Sequence, residues 1–73
     1  ESLEITENDI LEGLDFTGVS SLIRLYINGN EELTNLNMAD LISLRTLVVI
    51  ANPKLQDLNF IGLSSLEFLQ IAF

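Results

Sequence analysis

Leu22-Ile23-Arg24-Leu25-Tyr26-Ile27-Asn28-Gly29-Asn30 aligns with Leu44-Arg45-Thr46-Leu47-Val48-Val49-Ile50-Ala51-Asn52 at an offset of 22 residues. Carrying that offset in both directions fills eight columns. They are Leu22/Leu44/Leu66, Leu3/Leu25/Leu47/Leu69, Ile5/Ile27/Val49/Ile71, Asn8/Asn30/Asn52, Leu11/Leu33/Leu55, Leu14/Leu36/Leu58, Phe16/Met38/Phe60 and Val19/Leu41/Leu63. All 15 leucines of the chain fall in these columns, so the period is not accidental. A fixed period of this length marks a repeat architecture.

Within the quoted stretch the apolar residues alternate. Leu25 and Ile27 point one way, and Arg24, Tyr26 and Asn28 the other, which is the period of a strand. Leu47/Val49 and Leu69/Ile71 repeat the pattern, and Leu3/Ile5 supplies a fourth strand. Copies 22 residues apart are successive coils, so their strands lie side by side in a parallel sheet, ~4.8 Å apart. The remaining columns point inward from the turns and from the other side of each coil. No single coil can bury its own face; stacking makes one continuous core.

The unit reads L-x-x-L-x-[IV]-x-x-N-x-x-L-x-x-L-x-[FM]-x-x-[LV]-x-x, which resembles the leucine-rich repeat family over the whole chain. One departure stands out. The apolar residue after the asparagine comes three places later (Asn30 to Leu33, Asn52 to Leu55) rather than two, so that turn is one residue longer. The form Asn52-Pro53-Lys54-Leu55 is similar to bacterial surface repeats of the internalin-like kind and to the L domains of eukaryotic receptors. The resemblance and the columns together predict an α/β-type repeat. Its form is a right-handed leucine-rich repeat solenoid, with a parallel β-sheet on the concave face and irregular or 3-10 convex connections. An extracellular or cell-surface location is what the resemblance implies, with the cytoplasm the alternative.

Asn8, Asn30 and Asn52 form a polar column inside an apolar frame. A buried amide must be paired. The natural partners are backbone groups of its own turn and of the next coil, so the column reads as a structural ladder rather than a ligand site. Ser21, Ser43 and Ser65 read as turn-making hydroxyls. Asp15-Phe16, Asn37-Met38 and Asn59-Phe60 each place an Asx residue before a large apolar one, the pattern of a capped short helical turn. With so few residues per connection, 3-10 or irregular turns are expected instead of α-helix.

The composition excludes much chemistry. The chain has 73 residues, no His and no Cys. It offers no imidazole base, no thiolate, no usual zinc site and no disulfide. The net charge of −8 argues against nucleic acid or an anionic membrane as partner. The longest apolar stretch, Leu47 to Ala51, is far short of the ~20 residues of a spanning helix. No phosphate-binding loop occurs. The first residues, Glu1-Ser2-Leu3-Glu4, have no signal-peptide character. The chain starts within a unit and stops before the next asparagine, which reads as a piece of a longer solenoid, residues 1–73 forming about three units without capping repeats. Open solenoid ends expose core and strand edges, so self-association is a further expectation.

Carboxylates are the only catalytic raw material. Six of the eleven acids lie in the first fifteen residues. Asp9 stacks above Glu31, a pair that calcium could bridge, yet the pattern reads as a solvated acidic flank. Glu32 stacks beside Lys54 as a weak surface pair. Acid–base chemistry on a glycoside needs two carboxylates across a cleft, and nothing here builds one. No catalytic residue, metal site or cofactor is expected.

What remains is the outward face of the strands. It carries Ser2, Glu4 and Thr6, then Arg24, Tyr26 and Asn28, then Thr46, Val48 and Ile50, then Phe68, Gln70 and Ala72. Its later strands are apolar and uncharged, the character of an interface. Tyr, Arg and Phe are favoured as interface anchors. The candidate partner-binding residues are Arg24, Tyr26, Asn28, Val48, Ile50, Phe68 and Gln70. The function expected is non-catalytic recognition of a protein partner. The alternatives are a structural spacer in a larger surface protein, or an accessory recognition module of a larger enzyme.

Overall fold

A computed structural model describes residues 1–56, 58–60 and 62–72. Asp57, Ile61 and Phe73 lie outside the described residues. Among the described residues six strands follow in chain order: β1 (Ser2–Thr6), β2 (Gly13–Asp15), β3 (Arg24–Asn28), β4 (Asn35–Asn37), β5 (Thr46–Ile50) and β6 (Phe68–Ala72). Four of them make one parallel sheet in the order β1-β3-β5-β6. Its register is the sequence offset itself: Leu3 lies beside Leu25, Leu25 beside Leu47, and Leu47 beside Leu69. The chain is thus a parallel-sheet solenoid of about three turns.

The alternation in the strands follows the pleat. In β3 Leu25 and Ile27 are fully buried, while Arg24 and Asn28 are exposed. In β5 Leu47 and Val49 are buried the same way. A register slip of one residue would turn both apolar sets to solvent, which is why the pairing is specific. The core is deepest in the middle coil. Leu33, Leu41 and Leu44 have no exposed surface, whereas Leu3 and Leu69, on the first and last long strands, are 38% and 44% exposed. Each inner leucine has a coil on both sides, and burying such a side chain contributes about 1.5–3 kcal/mol.

The opposite side of the coils differs from the expectation. No helix of any type occurs among the described residues, so the helical part of the α/β class and its 3-10 connections have no counterpart there. Instead β2 and β4 pair as a second short parallel sheet, Leu14 beside Leu36. Both leucines point to the core, and the polar residues around them face out. The pairing extends beyond the strands: Thr34 N–H donates to Glu12 C=O at 2.9 Å, and Phe16 N–H to Asn37 C=O at 3.0 Å.

The Asx caps of the first two coils are present, but nothing propagates from them. Asp15 Oδ1 accepts from Thr17 N–H at 3.0 Å, and Asn37 Oδ1 from Ala39 N–H at 3.2 Å. A single backbone turn follows each: Val19 N–H to Phe16 C=O, and Leu41 N–H to Met38 C=O. In the first coil Gly18 then takes φ 82°, outside the right-handed helical region, and helix growth stops there. In the second coil Ile42 N–H turns back to Asp40 C=O at 2.8 Å. Ser43 and Ser65 do sit in turns, but backbone groups close them. The hydroxyls of the serine column make no hydrogen bond among the described residues.

The longer spacing after the asparagine also has a structural reason. Leu33 N–H donates to Asn30 C=O at 3.3 Å, and Leu55 N–H to Asn52 C=O at 3.1 Å. Three residues from Asn to Leu are what one backbone turn of this kind requires.

Candidate functional site

The seven predicted residues all lie on the side of the four-stranded sheet that faces away from the core. Arg24, Tyr26 and Asn28 are on β3, Val48 and Ile50 on β5, and Phe68 and Gln70 on β6. Register brings Tyr26 beside Val48, Val48 beside Gln70, and Asn28 beside Ile50. Phe68 is beside Thr46 and therefore diagonal to Val48. Diagonal neighbours of this kind remain within reach of an aromatic side chain.

The residues differ in how open they are. Tyr26, Val48 and Ile50 are half-buried by their neighbours, while Arg24, Asn28 and Gln70 are exposed. Phe68 keeps 52% of its surface open to water. The result is a graded surface: an aromatic and aliphatic patch at Tyr26, Val48, Ile50 and Phe68, with an amide at either side. An open phenyl ring beside β-branched side chains is the kind of surface that loses water readily on contact with a partner.

Charge sits at the margins. Arg24 makes no ion pair among the described residues, and Glu4, on β1, lies opposite Tyr26. Arg45 and Glu67 approach to 3.8 Å at the end where the strands begin, both well exposed. At the other end Lys54 Nζ donates to Glu32 Oε1 at 2.8 Å, as the register expects, and that carboxylate holds the ammonium pKa above its usual value. Asp15, on the far sheet, is held below the ordinary carboxylate range, first by the Thr17 hydroxyl and next by the Thr17 N–H.

The two buried members of the asparagine column, Asn30 and Asn52, are fully engaged in structure. Asn52 Nδ2 donates to Ile27 C=O at 3.1 Å and to Ile50 C=O at 2.8 Å, and Asn30 Nδ2 donates to Ile5 C=O at 3.2 Å. No buried side-chain polar atom among the described residues lacks a partner. These amides hold the turns and offer no free group to a ligand. Among the described residues no cluster of three or more potential metal ligands occurs.

Sequence reasoning passed over one column. Glu7, Gly29 and Ala51, each immediately after a long strand, all have positive φ, at 54°, 72° and 58°. Each donates its N–H to the carbonyl that ends the next strand, at 2.9, 3.1 and 2.8 Å. Only Gly29 signalled this in composition, because Glu and Ala are not residues that mark a left-handed turn.

Comparison with protein-family models, curated proteins and solved structures gives no match.

Proposed function

We propose that this chain is a recognition module of the leucine-rich repeat kind, with no catalytic role, that binds a protein partner at a cell surface through the outward face of its four-stranded sheet. The observation that carries the reading is the patch of Tyr26, Val48, Ile50 and Phe68 on a rigid sheet. The core has no use for these side chains, yet they are apolar. The affiliation is supported by the 22-residue register and by the asparagine column, which repeat the features that carry the resemblance. A sheet held by backbone bonds and an amide ladder presents its face already ordered, so little conformational entropy is lost on contact.

The test is alanine replacement of Tyr26, Val48 and Phe68 in the protein as its cell makes it, with cross-linking of the bound partner. Loss of a central aromatic anchor weakens such contacts by about 2 kcal/mol or more. Unchanged capture by the triple variant, with the fold intact by circular dichroism, would refute the role of this face.

A further inference from the structure

The two rims of the four-stranded sheet differ in charge. Where the strands begin, Glu1 and Glu67 are matched by Arg24 and Arg45. Where they end, the chain turns through Glu7, Asp9, Glu31 and Glu32, and the one cation there among the described residues, Lys54, is taken up by Glu32. Glu7, Asp9 and Glu31 are exposed carboxylates without a partner cation among the described residues. Between the rims, the patch of Tyr26, Val48, Ile50 and Phe68 carries no charge.

We infer that the occupant of this face is a cationic peptide segment that also bears apolar side chains. Its apolar residues lie on Tyr26, Val48 and Phe68, and its positive groups point to the rim where the strands end. The inference rests on the face being the binding surface, and adds the partner's charge and orientation. Three arguments converge on it. An uncharged apolar surface loses water at little cost, so the contact forms there. A one-sided acidic rim next to it attracts cations and disfavours anions, which selects among apolar partners. The net charge of −8 repels anionic partners from every direction, so long-range steering has the same sign as the rim.

The probes are two synthetic peptides with a shared Phe-Val-Phe half. One continues with lysines and the other with glutamates. Each is titrated into the isotope-labelled chain while amide shifts are followed by NMR. The lysine peptide is expected to move the amides of Tyr26, Val48 and Phe68 together with those of Glu7 and Glu31. It should bind about tenfold or more tighter than the glutamate peptide at low salt, and lose that advantage as salt rises. A spin label on the lysine end should broaden Glu7 and Glu31 and spare Glu67. The double variant Glu7→Lys/Glu31→Lys should abolish the peptide preference, and Glu31→Gln alone should reduce it.

If the glutamate peptide moves the face amides as well as the lysine peptide does, the charge assignment is overturned while the face survives as a binding surface. If the lysine peptide moves only acidic-rim amides and leaves Tyr26, Val48 and Phe68 unchanged, the assignment is overturned as mere charge attraction. The alanine triple variant then judges the face independently.

Discussion

Asn30 donates twice to one oxygen of Asn52, through its backbone N–H at 3.1 Å and through its Nδ2 at 3.0 Å. Asn8 repeats the arrangement on Asn30, at 3.2 Å and 2.9 Å. The same side chain therefore accepts from the preceding coil and donates within the stack. Only a primary amide of this length does both. Asn30 and Asn52 are fully buried, so water cannot replace a lost partner.

Asn52→Ala leaves Ile27 C=O, Ile50 C=O and Asn30 N–H without their side-chain partner. We expect a loss of about 3 kcal/mol, read as a fall in the urea unfolding midpoint. Asn30→Asp should cost at least as much at neutral pH, because a carboxylate would face the oxygens of Asn52 and Ile5. Asn8→Ala, at an exposed position, should cost well under half as much. Equal losses at all three positions would contradict the burial argument.

The left-handed column predicts a pair of opposite effects. Ala51→Gly relieves the strain of a Cβ at φ 58° and should stabilise the chain by about 1 kcal/mol. Gly29→Ala imposes that strain and should destabilise by a similar amount. The added Cβ at Gly29 meets nothing closer than Glu7 Cγ at 3.5 Å, so conformation alone is tested. The measurement is the thermal midpoint of each variant, and effects of the same sign would refute the explanation.

Gly62 adds a clash to the same strain. A Cβ there would lie 2.8 Å from the Ala39 carbonyl oxygen, whereas one at Gly18, with φ 82° against 94°, would meet nothing within 4 Å. Gly62→Ala should therefore destabilise more than Gly18→Ala, by about 1–3 kcal/mol of overpacking. Denaturant titrations of the two variants side by side give the difference, and no difference would mean that the neighbouring coil gives way freely.

Asp15 predicts an acid-sensitive contribution. Its folded pKa lies below the unfolded value because Thr17 stabilises the carboxylate. The stabilisation is fully present above the unfolded pKa and is lost as pH falls through the folded one. Asp15→Asn keeps an oxygen for Thr17 but cannot titrate, as Asn37 already does one coil on. The variant's unfolding midpoint should fall less steeply on acidification than the parent's. Identical slopes would remove Asp15 as a source of acid sensitivity.

The spacing of leucines was enough to state the register of every long strand, because one offset of 22 residues aligns every column of the coil at once, and a one-residue slip would put Leu25 and Leu47 on opposite sides. The asparagine ladder was legible for a similar reason: a polar column among apolar ones must find partners. The Lys54–Glu32 contact followed from stacking alone.

Other features needed the folded chain. The second sheet of β2 and β4 was not legible, since three residues carry too short an alternation to separate a strand from a turn. The positive φ of Glu7 and Ala51 was hidden by residue types that give no sign of it; the coil must reverse there to return its hydrogen bonds to the next strand. Of the irregular or 3-10 connections expected, the 3-10 form has no counterpart among the described residues, because the chain leaves helical geometry after one turn. The sequence also listed the outward residues of each strand, but their openness was decided by stacking. Tyr26 and Val48 each have long strands on both sides and are half-buried, while Phe68, on the outermost long strand, stays half-open. Local pattern specifies which way a side chain points; how much water reaches it depends on the neighbours that only the assembled coils supply.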